Sequence, residues 1–348
     1  MCSQNFALST FGCRNGSTVI TFTITRDTQM NNKKQLGAIG LDIGGTKIAA
    51  GVVLWPSGEI LRRTIIPTKP TRGGEAVLKD THDLARQLHD WARGEQIEVA
   101  GIGAGVAELV DREGNVTSSC TIDWCNRPVQ QRLSAIAPAR VESDVRAAAL
   151  GEAIFGAGRG HPLFVYMTVG TGISYCLMQN GQPLKGARGN AITMASSPLT
   201  TVCTHCGAKL RPVLEEVASG PAIAKRFAQG QNVQTTETCE QVFRAASNGD
   251  KNAIEILTSA GEALGVSTAF LVNVLDPETI VVGGGLGTAG GWYWDAFERS
   301  CREHIFADNS RGLTIVTATL GVDAGLVGAA AVVFAPQGGR ATYAYETS

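Results

Sequence analysis

The sequence predicts an α/β protein made of two related halves. Apolar, β-branched segments alternate with helical spacings along most of the chain, an order that lays helices over sheets. One design occurs twice: "LGAIGLDIGGTKIAAGVVLW" at 36–55 and "LFVYMTVGTGISYCLMQNGQPL" at 163–184 each set a glycine-rich turn between apolar strands. The chain has 348 residues, 44% hydrophobic and 18% charged, enough apolar material for one large core or two medium ones.

The elements follow in order. Residues 1–35 lack helical spacing and the basic start and compact apolar run of a secretory leader, so a poorly ordered extension is expected there. The N-terminal lobe is placed at 36–148. It holds the first hairpin, a helix over "GEAVLKDTHDLARQLHDWARG", a strand and glycine turn in "IEVAGIGAGVAELVD", and the alanine-rich helix of "ESDVRAAALGEAIFGAG". The C-terminal lobe is placed at 149–322. It holds the second hairpin, closed at Asn180-Gly181, helices over 213–229, 238–248 and 250–275, and a buried strand in "TIVVGGGLG". A helix near 291–304 and a strand at 313–318 complete it. A small-residue helix over 323–335 is expected to return to the N-terminal lobe, leaving 336–348 as a tail.

Lys plus Arg number 30 and Asp plus Glu 31, with no run of like charge, so neither a nucleic-acid groove nor an anionic membrane surface is indicated. Apolar stretches such as "LVGAAAVVFA" reach about half of the ~20 residues that cross a bilayer, so they are read as core and no membrane partner is expected. A small, roughly neutral ligand fits this balance. Nine scattered cysteines, an odd number without framework spacing, favour a reducing compartment and a cytoplasmic location.

Chemistry is concentrated in the glycine turns. In "LDIGGTK", Gly44 and Gly45 let backbone N–H groups approach phosphate oxygens, Thr46 offers a hydroxyl, Lys47 adds charge and Asp42 suits Mg²⁺. An ordinary tight hairpin would give the same pattern. "VGTGIS" supplies a second such turn with Thr171 and Gly172, and a pair of them suggests loops that clasp one polyphosphate. "VVGGGLG" adds Gly283, Gly284 and Gly285 after a buried strand, where an adenine ring can lie against backbone. Neither the Walker-type loop nor the dinucleotide fingerprint occurs at these places.

Taken in order, "LDIGGTKIAAGVV", "GIGAGVAELVD", "WCNRP", "SDVRAAALGE", "VGTGIS", "NGQPLKGARGNA", "LEEVASGPAI" and "IVVGGGLG" resemble the ROK sugar-kinase family of the actin-like ATPase superfamily, over about 38–335. The resemblance implies a two-lobed actin-like ATPase (ribonuclease H-like) fold with mixed sheets flanked by helices, ATP and Mg²⁺ as cofactors, and a homodimer. It also implies that Asp144 is the base that takes the proton of the attacking hydroxyl. The plainer alternative is that Asp144 caps the helix after it.

The family pattern breaks on the acceptor side. Ser143 stands where the family has a sugar-binding asparagine, and Thr193 and Ser196 fall where it has a glutamate and a histidine. Glu215 keeps the position of a further sugar-binding glutamate. The zinc element survives only as Cys203, His205 and Cys206, with Val213 where the last cysteine belongs, so zinc is not expected. Ala107 and Glu108 replace a Pro-Gly pair; Glu108 either meets a substrate hydroxyl or faces water. Asp123 and Asn126 are further acceptor-side candidates, although Asn126 equally suits a purely local role in the loop around Trp124. The expectation is an ATP-dependent kinase for a cyclic polyol, that is a cyclitol, amino sugar or modified sugar. An ordinary hexose kinase such as a glucokinase, and a catalytically weak sugar-binding protein, are the alternatives.

Overall fold

A computed structural model describes residues 5–10, 20–25, 35–198, 201–202, 205–231 and 238–336. Within the segment expected to be a poorly ordered extension, β1 (Asn5–Thr10) pairs antiparallel with β2 (Ile20–Thr25), a pair that its composition did not suggest. The rest of that segment up to residue 34, and 337–348 of the tail, lie outside the described residues. The chain divides into two compact units.

Unit 1 is built on β3 (Leu36–Ile43), β4 (Lys47–Leu54), β5 (Ile60–Pro67), β6 (Glu98–Val106) and β7 (Ala139–Ser143), in the order β5-β4-β3-β6-β7. β3 pairs antiparallel with β4 and parallel with β6, and β6 is parallel to β7. β3 and β4 read as nearly unbroken apolar runs because both of their faces are covered. One cover is α1 (Gly74–Gly94), which buries Val77, Leu78, Thr81, Leu84, Ala85, Leu88 and Ala92 at helical spacing. The other comprises α3 (Asp144–Phe155) and the small-residue helix α9 (Ala324–Phe334), which packs on α3, β3 and β6. α2 (Val129–Ser134) lies against β7.

Unit 2 carries β8 (Leu163–Val169), β9 (Ile173–Gln179), β13 (Thr279–Gly283) and β14 (Thr314–Thr317), which with β10 (Gln182–Pro183) give the order β10-β9-β8-β13-β14. Numbered within its own sheet, each five-stranded sheet therefore has its third, second, first, fourth and fifth strands side by side. Asn180 and Gly181, with φ of 50° and 72°, close the β9–β10 hairpin as the Asn-Gly pair predicts. Helices α4 (Glu215–Ala218), α5 (Gly220–Gln231), α6 (Cys239–Ser247), α7 (Lys251–Leu275) and α8 (Gly291–His304) belong to this unit, beside the short pair β11 (Thr201–Val202) and β12 (Lys209–Leu210). α7 is long and apolar enough to cross a membrane by length and composition, but it buries Ile256, Leu257, Leu264 and Leu271 in the core and packs along α8.

Two expectations are corrected. The division falls after Pro162 rather than near 148, because α3 runs unbroken to Phe155 and is held by α9; residues 178–191 also return to unit 1. The helix expected over 213–229 is broken at Ser219, whose extended backbone (φ −77°, ψ 161°) separates α4 from α5.

Candidate active site

In unit 1 the parallel strands β3, β6 and β7 end level: Ile43 lies opposite Val106, and Val106 opposite Ser143. Gly44, Ala107 and Asp144 therefore leave the sheet together at its carboxyl edge, where open α/β sheets bind ligands. The first turn is closed by Gly44 N–H donating to the Lys47 carbonyl at 3.0 Å. Buried Thr68, which sequence reasoning missed, braces it: its hydroxyl donates to the Gly44 carbonyl at 2.6 Å and its N–H to the Thr46 carbonyl at 3.0 Å. Thr46 and Lys47 are exposed.

Two carboxyl groups share this edge. Burial pushes Asp42 up to about 6, against the opposing charge of Lys47. Burial, and then the charge of Asp42, push Asp144 up to about 7. Asp144 is the first residue of α3, and its Oδ1 accepts only the adjacent Val145 N–H, at 2.7 Å, rather than a donor further along the first turn. Ser143 occupies the capping position but its side chain makes no cap bond; its Oγ is buried and has no hydrogen-bond partner among the described residues. A buried orphan hydroxyl beside a proton-accepting carboxylate is the kind of group that a ligand hydroxyl satisfies.

The remaining unit 1 candidates are more peripheral. Asp123 is exposed and ion-paired to Arg127 at 2.7 Å. Asn126 is exposed in a left-handed conformation (φ 60°), with its backbone N–H donating to the Val116 carbonyl at 2.9 Å. Glu108 is buried and does not face water, and its oxygens are taken by donors from the 118–122 loop. Sequence reasoning also missed Arg146, a buried guanidinium that pairs with Glu142 and donates to the carbonyls of Val110 and Gly189. Lys185 completes that network at 2.7 Å from Glu142.

In unit 2 the Thr171–Gly172 turn is closed by Gly170 N–H on the Gly172 carbonyl, and Gly220 N–H at the start of α5 donates to the Gly170 carbonyl, both at 2.9 Å. Glu215 stands against this turn: its Oε1 accepts the Ile173 N–H at 2.8 Å, and its Oε2 accepts the Ser196 hydroxyl at 3.0 Å. Thr193 is exposed, and its carbonyl accepts the Ser197 hydroxyl at 2.9 Å. The Gly283–Gly285 turn docks on the end of β8, with the N–H groups of Leu286 and Gly287 both 3.0 Å from the Val169 carbonyl. Gly284 must be glycine, since its φ is 83° and a Cβ would collide with Val169 backbone. His205 and Cys206 are exposed and Cys203 lies outside the described residues; among those described, no three His, Cys, Asp or Glu side chains gather to hold a metal ion.

The profile described as "ROK family" matches residues 38–335. The chain belongs to the ROK family. This ROK protein is 33% identical over 313 residues to the glucokinase of Streptomyces coelicolor, an alignment covering 84% of this chain and 96% of that one. It is 29% identical over 315 residues to the glucokinase of Thermotoga maritima, covering 86% and 98%. Among solved structures, the ROK family glucokinase from Streptomyces griseus in complex with glucose and AMPPNP superposes with a TM-score of 0.72 at 29% identity, over 85% of this chain and 98% of that one. The ROK hexokinase from Thermus thermophilus gives 0.70 at 30%, over 84% and 96%. The fold is the two-lobed actin-like ATPase architecture, with mixed sheets flanked by helices.

Proposed function

We propose that this ROK protein is an ATP-dependent phosphotransferase that moves the γ-phosphoryl group of ATP to a hydroxyl of a cyclic polyol. The observation that carries the reading is the Asp144–Ser143 pair at the carboxyl edge of the unit 1 sheet. It joins a carboxyl group raised to about 7 to a buried hydroxyl without a partner among the described residues. A carboxylate with that proton affinity is suited to accept the acceptor's hydroxyl proton as its oxygen bonds to the γ-phosphorus, while the bond to the ADP oxygen breaks. In this reading Gly45, Thr46, Thr171 and Gly172 supply donors to phosphate oxygens, Gly44 closes the first turn through its bond to the Lys47 carbonyl, Lys47 supplies charge, and the Gly283–Gly285 turn serves adenosine.

The donor set fits a hard divalent cation. Two carboxyl groups are crowded at one edge, and burial disfavours the charge of both. Mg²⁺ held by Asp42, directly or through water, would offset phosphate charge during transfer.

On the acceptor side we assign Ser143, Asp123 and Asn126 of unit 1 and Thr193, Ser196 and Glu215 of unit 2. Glu215 already accepts two hydrogen bonds from its own unit, and neither a carboxylate at 193 nor an imidazole at 196 is present to clamp an anomeric hydroxyl. That favours a cyclitol, amino sugar or modified sugar. A second reading, an ordinary hexose kinase, is favoured by the glucokinases among its relatives. A cytoplasmic homodimer is proposed with either. The test is a coupled ADP-release screen with Mg-ATP over hexoses, amino sugars, acetylated sugars and cyclitols. Turnover on cyclitols or modified sugars above glucose supports the first reading, preference for glucose the second, and no turnover on any acceptor overturns both.

A further inference from the structure

Glu108 follows the end of β6, one residue beyond Ala107, whose N–H donates to the Ile43 carbonyl at 3.0 Å, immediately before the Gly44–Gly45 turn. Its side chain is only 6% exposed. Oε1 accepts the N–H groups of Thr121 and Ile122, each at 2.6 Å; Oε2 accepts the Cys120 N–H at 2.8 Å and the Ser118 hydroxyl. Three successive backbone N–H groups thus wrap one carboxylate, a concavity of the type that binds free anions elsewhere. Here the chain supplies its own anion.

The loop so gathered touches the first turn. The Thr121 methyl lies against Gly45, so closely that a Cβ on Gly45 would stand 2.5 Å from it. Further along, Trp124 is fully buried and donates its indole N–H to the Gly74 carbonyl at 2.8 Å, which fixes the other end of the loop. The turn is therefore held from two sides, by Thr68 on its carbonyls and by Thr121 on its glycine.

We propose that Glu108 is a positioning residue for nucleotide phosphate binding: it seats the 118–122 loop so that Thr121 packs on Gly45 and holds the Gly44–Thr46 turn in place. The proposal rests on the reading of that turn as a phosphate site. It gives Glu108 no contact with the acceptor, contrary to one expectation from sequence. A glutamine at 108 keeps the shape, but its NH₂ faces the Cys120 N–H, donor against donor, and releases that part of the loop.

The experiment compares Glu108→Gln and Thr121→Ser with the wild-type chain. Calorimetry with Mg-AMPPNP reads nucleotide affinity without turnover, and initial rates give KM for ATP and for the best acceptor separately. Weakening of about tenfold in AMPPNP affinity is expected for Glu108→Gln, the scale of one lost hydrogen bond to a charged group. A smaller loss is expected for Thr121→Ser, with the acceptor KM unchanged in both. A lowered melting temperature with unchanged AMPPNP affinity would make Glu108 merely structural and overturn the proposal. So would a rise confined to the acceptor KM. Should Glu108→Gln fail to fold, Thr121→Ser, which keeps every bond to Glu108, decides alone. A wild-type chain that binds AMPPNP but turns over no acceptor refutes the kinase reading, while the affinity ratios still decide the role of Glu108.

Discussion

The Ser196 hydroxyl donates to Glu215 Oε2 at 3.0 Å while the other oxygen of that carboxylate holds the Ile173 N–H at 2.8 Å. One side chain thus links the segment around Ser196, proposed above for the acceptor side, to the Thr171–Gly172 turn. Ser196→Ala frees one oxygen of Glu215 and is expected to raise the acceptor KM about three- to tenfold. Ser196 is exposed, so the melting temperature should stay within about 1 °C, as for most surface changes. Steady-state kinetics and a thermal melt check both; an unchanged acceptor KM would remove Ser196 from the pocket.

Asp144→Asn keeps the shape of the side chain and removes its basicity. kcat should fall by about 10²–10⁴, the usual worth of a general base, while Mg-AMPPNP affinity changes little. A variant retaining more than a tenth of wild-type kcat would return Asp144 to the role of a local backbone partner for Val145.

Stability should depend on pH through the same group. Asp42 near 6 and Asp144 near 7 both lie above the ordinary value of 3.8, so the folded protein binds more protons than the unfolded chain between those limits. Their stabilising contribution is present below about pH 4 and is lost as pH rises through 6 and 7. In metal-free buffer, the melting temperature of Asp144→Asn relative to wild type should therefore climb between pH 5 and 8. The gain should reach a few degrees, since 1 kcal/mol moves the midpoint by about 2–4 °C in chains of roughly 150–250 residues and by less in a longer one. A gap that stays constant across that range would show that Asp144 titrates as an ordinary aspartate.

Gly284 and Gly285 separate strain from contact. Gly284→Ala forces a side chain into a left-handed backbone and onto Val169, and should cost about 1–3 kcal/mol together with nucleotide affinity. A Cβ at Gly285 meets nothing within 4 Å in the protein, so Gly285→Ala should melt like the wild type. Any loss of AMPPNP binding in Gly285→Ala would then report the nucleotide itself. Equal melting temperatures for the two variants would contradict the geometry at Gly284.

Much of this was legible in the sequence, for physical reasons that differ by element. The two hairpins were readable because Gly44–Gly45 and Asn180–Gly181 are local turn signals, and α1 because its apolar spacing is regular. The break at Ser219 was hidden because Ser-Gly-Pro in "VASGPAI" is compatible with either an interruption or a new first turn. Glu108 was misread because the donors that bury it come from residues 118–122, and nothing local announces that return. Thr68 and Arg146 were missed likewise, since their partners at Gly44 and Gly189 lie 24 and 43 residues away.

The five-stranded sheet of unit 1 begins at Leu36, yet the unit includes α9, which covers β3 and β6 and is assembled from residues after Asp323. Gly40 and Gly103 are bare so that the α9 backbone can lie on the sheet, and until it does those strands present an open apolar face. Unit 2 needs nothing beyond Val322. During synthesis, then, the half begun first is finished after unit 2, once the residues beyond Asp323 have emerged. Released chains truncated after Val322 should show protease-resistant unit 2 fragments while unit 1 is still cut, which makes α9 the closing step of folding.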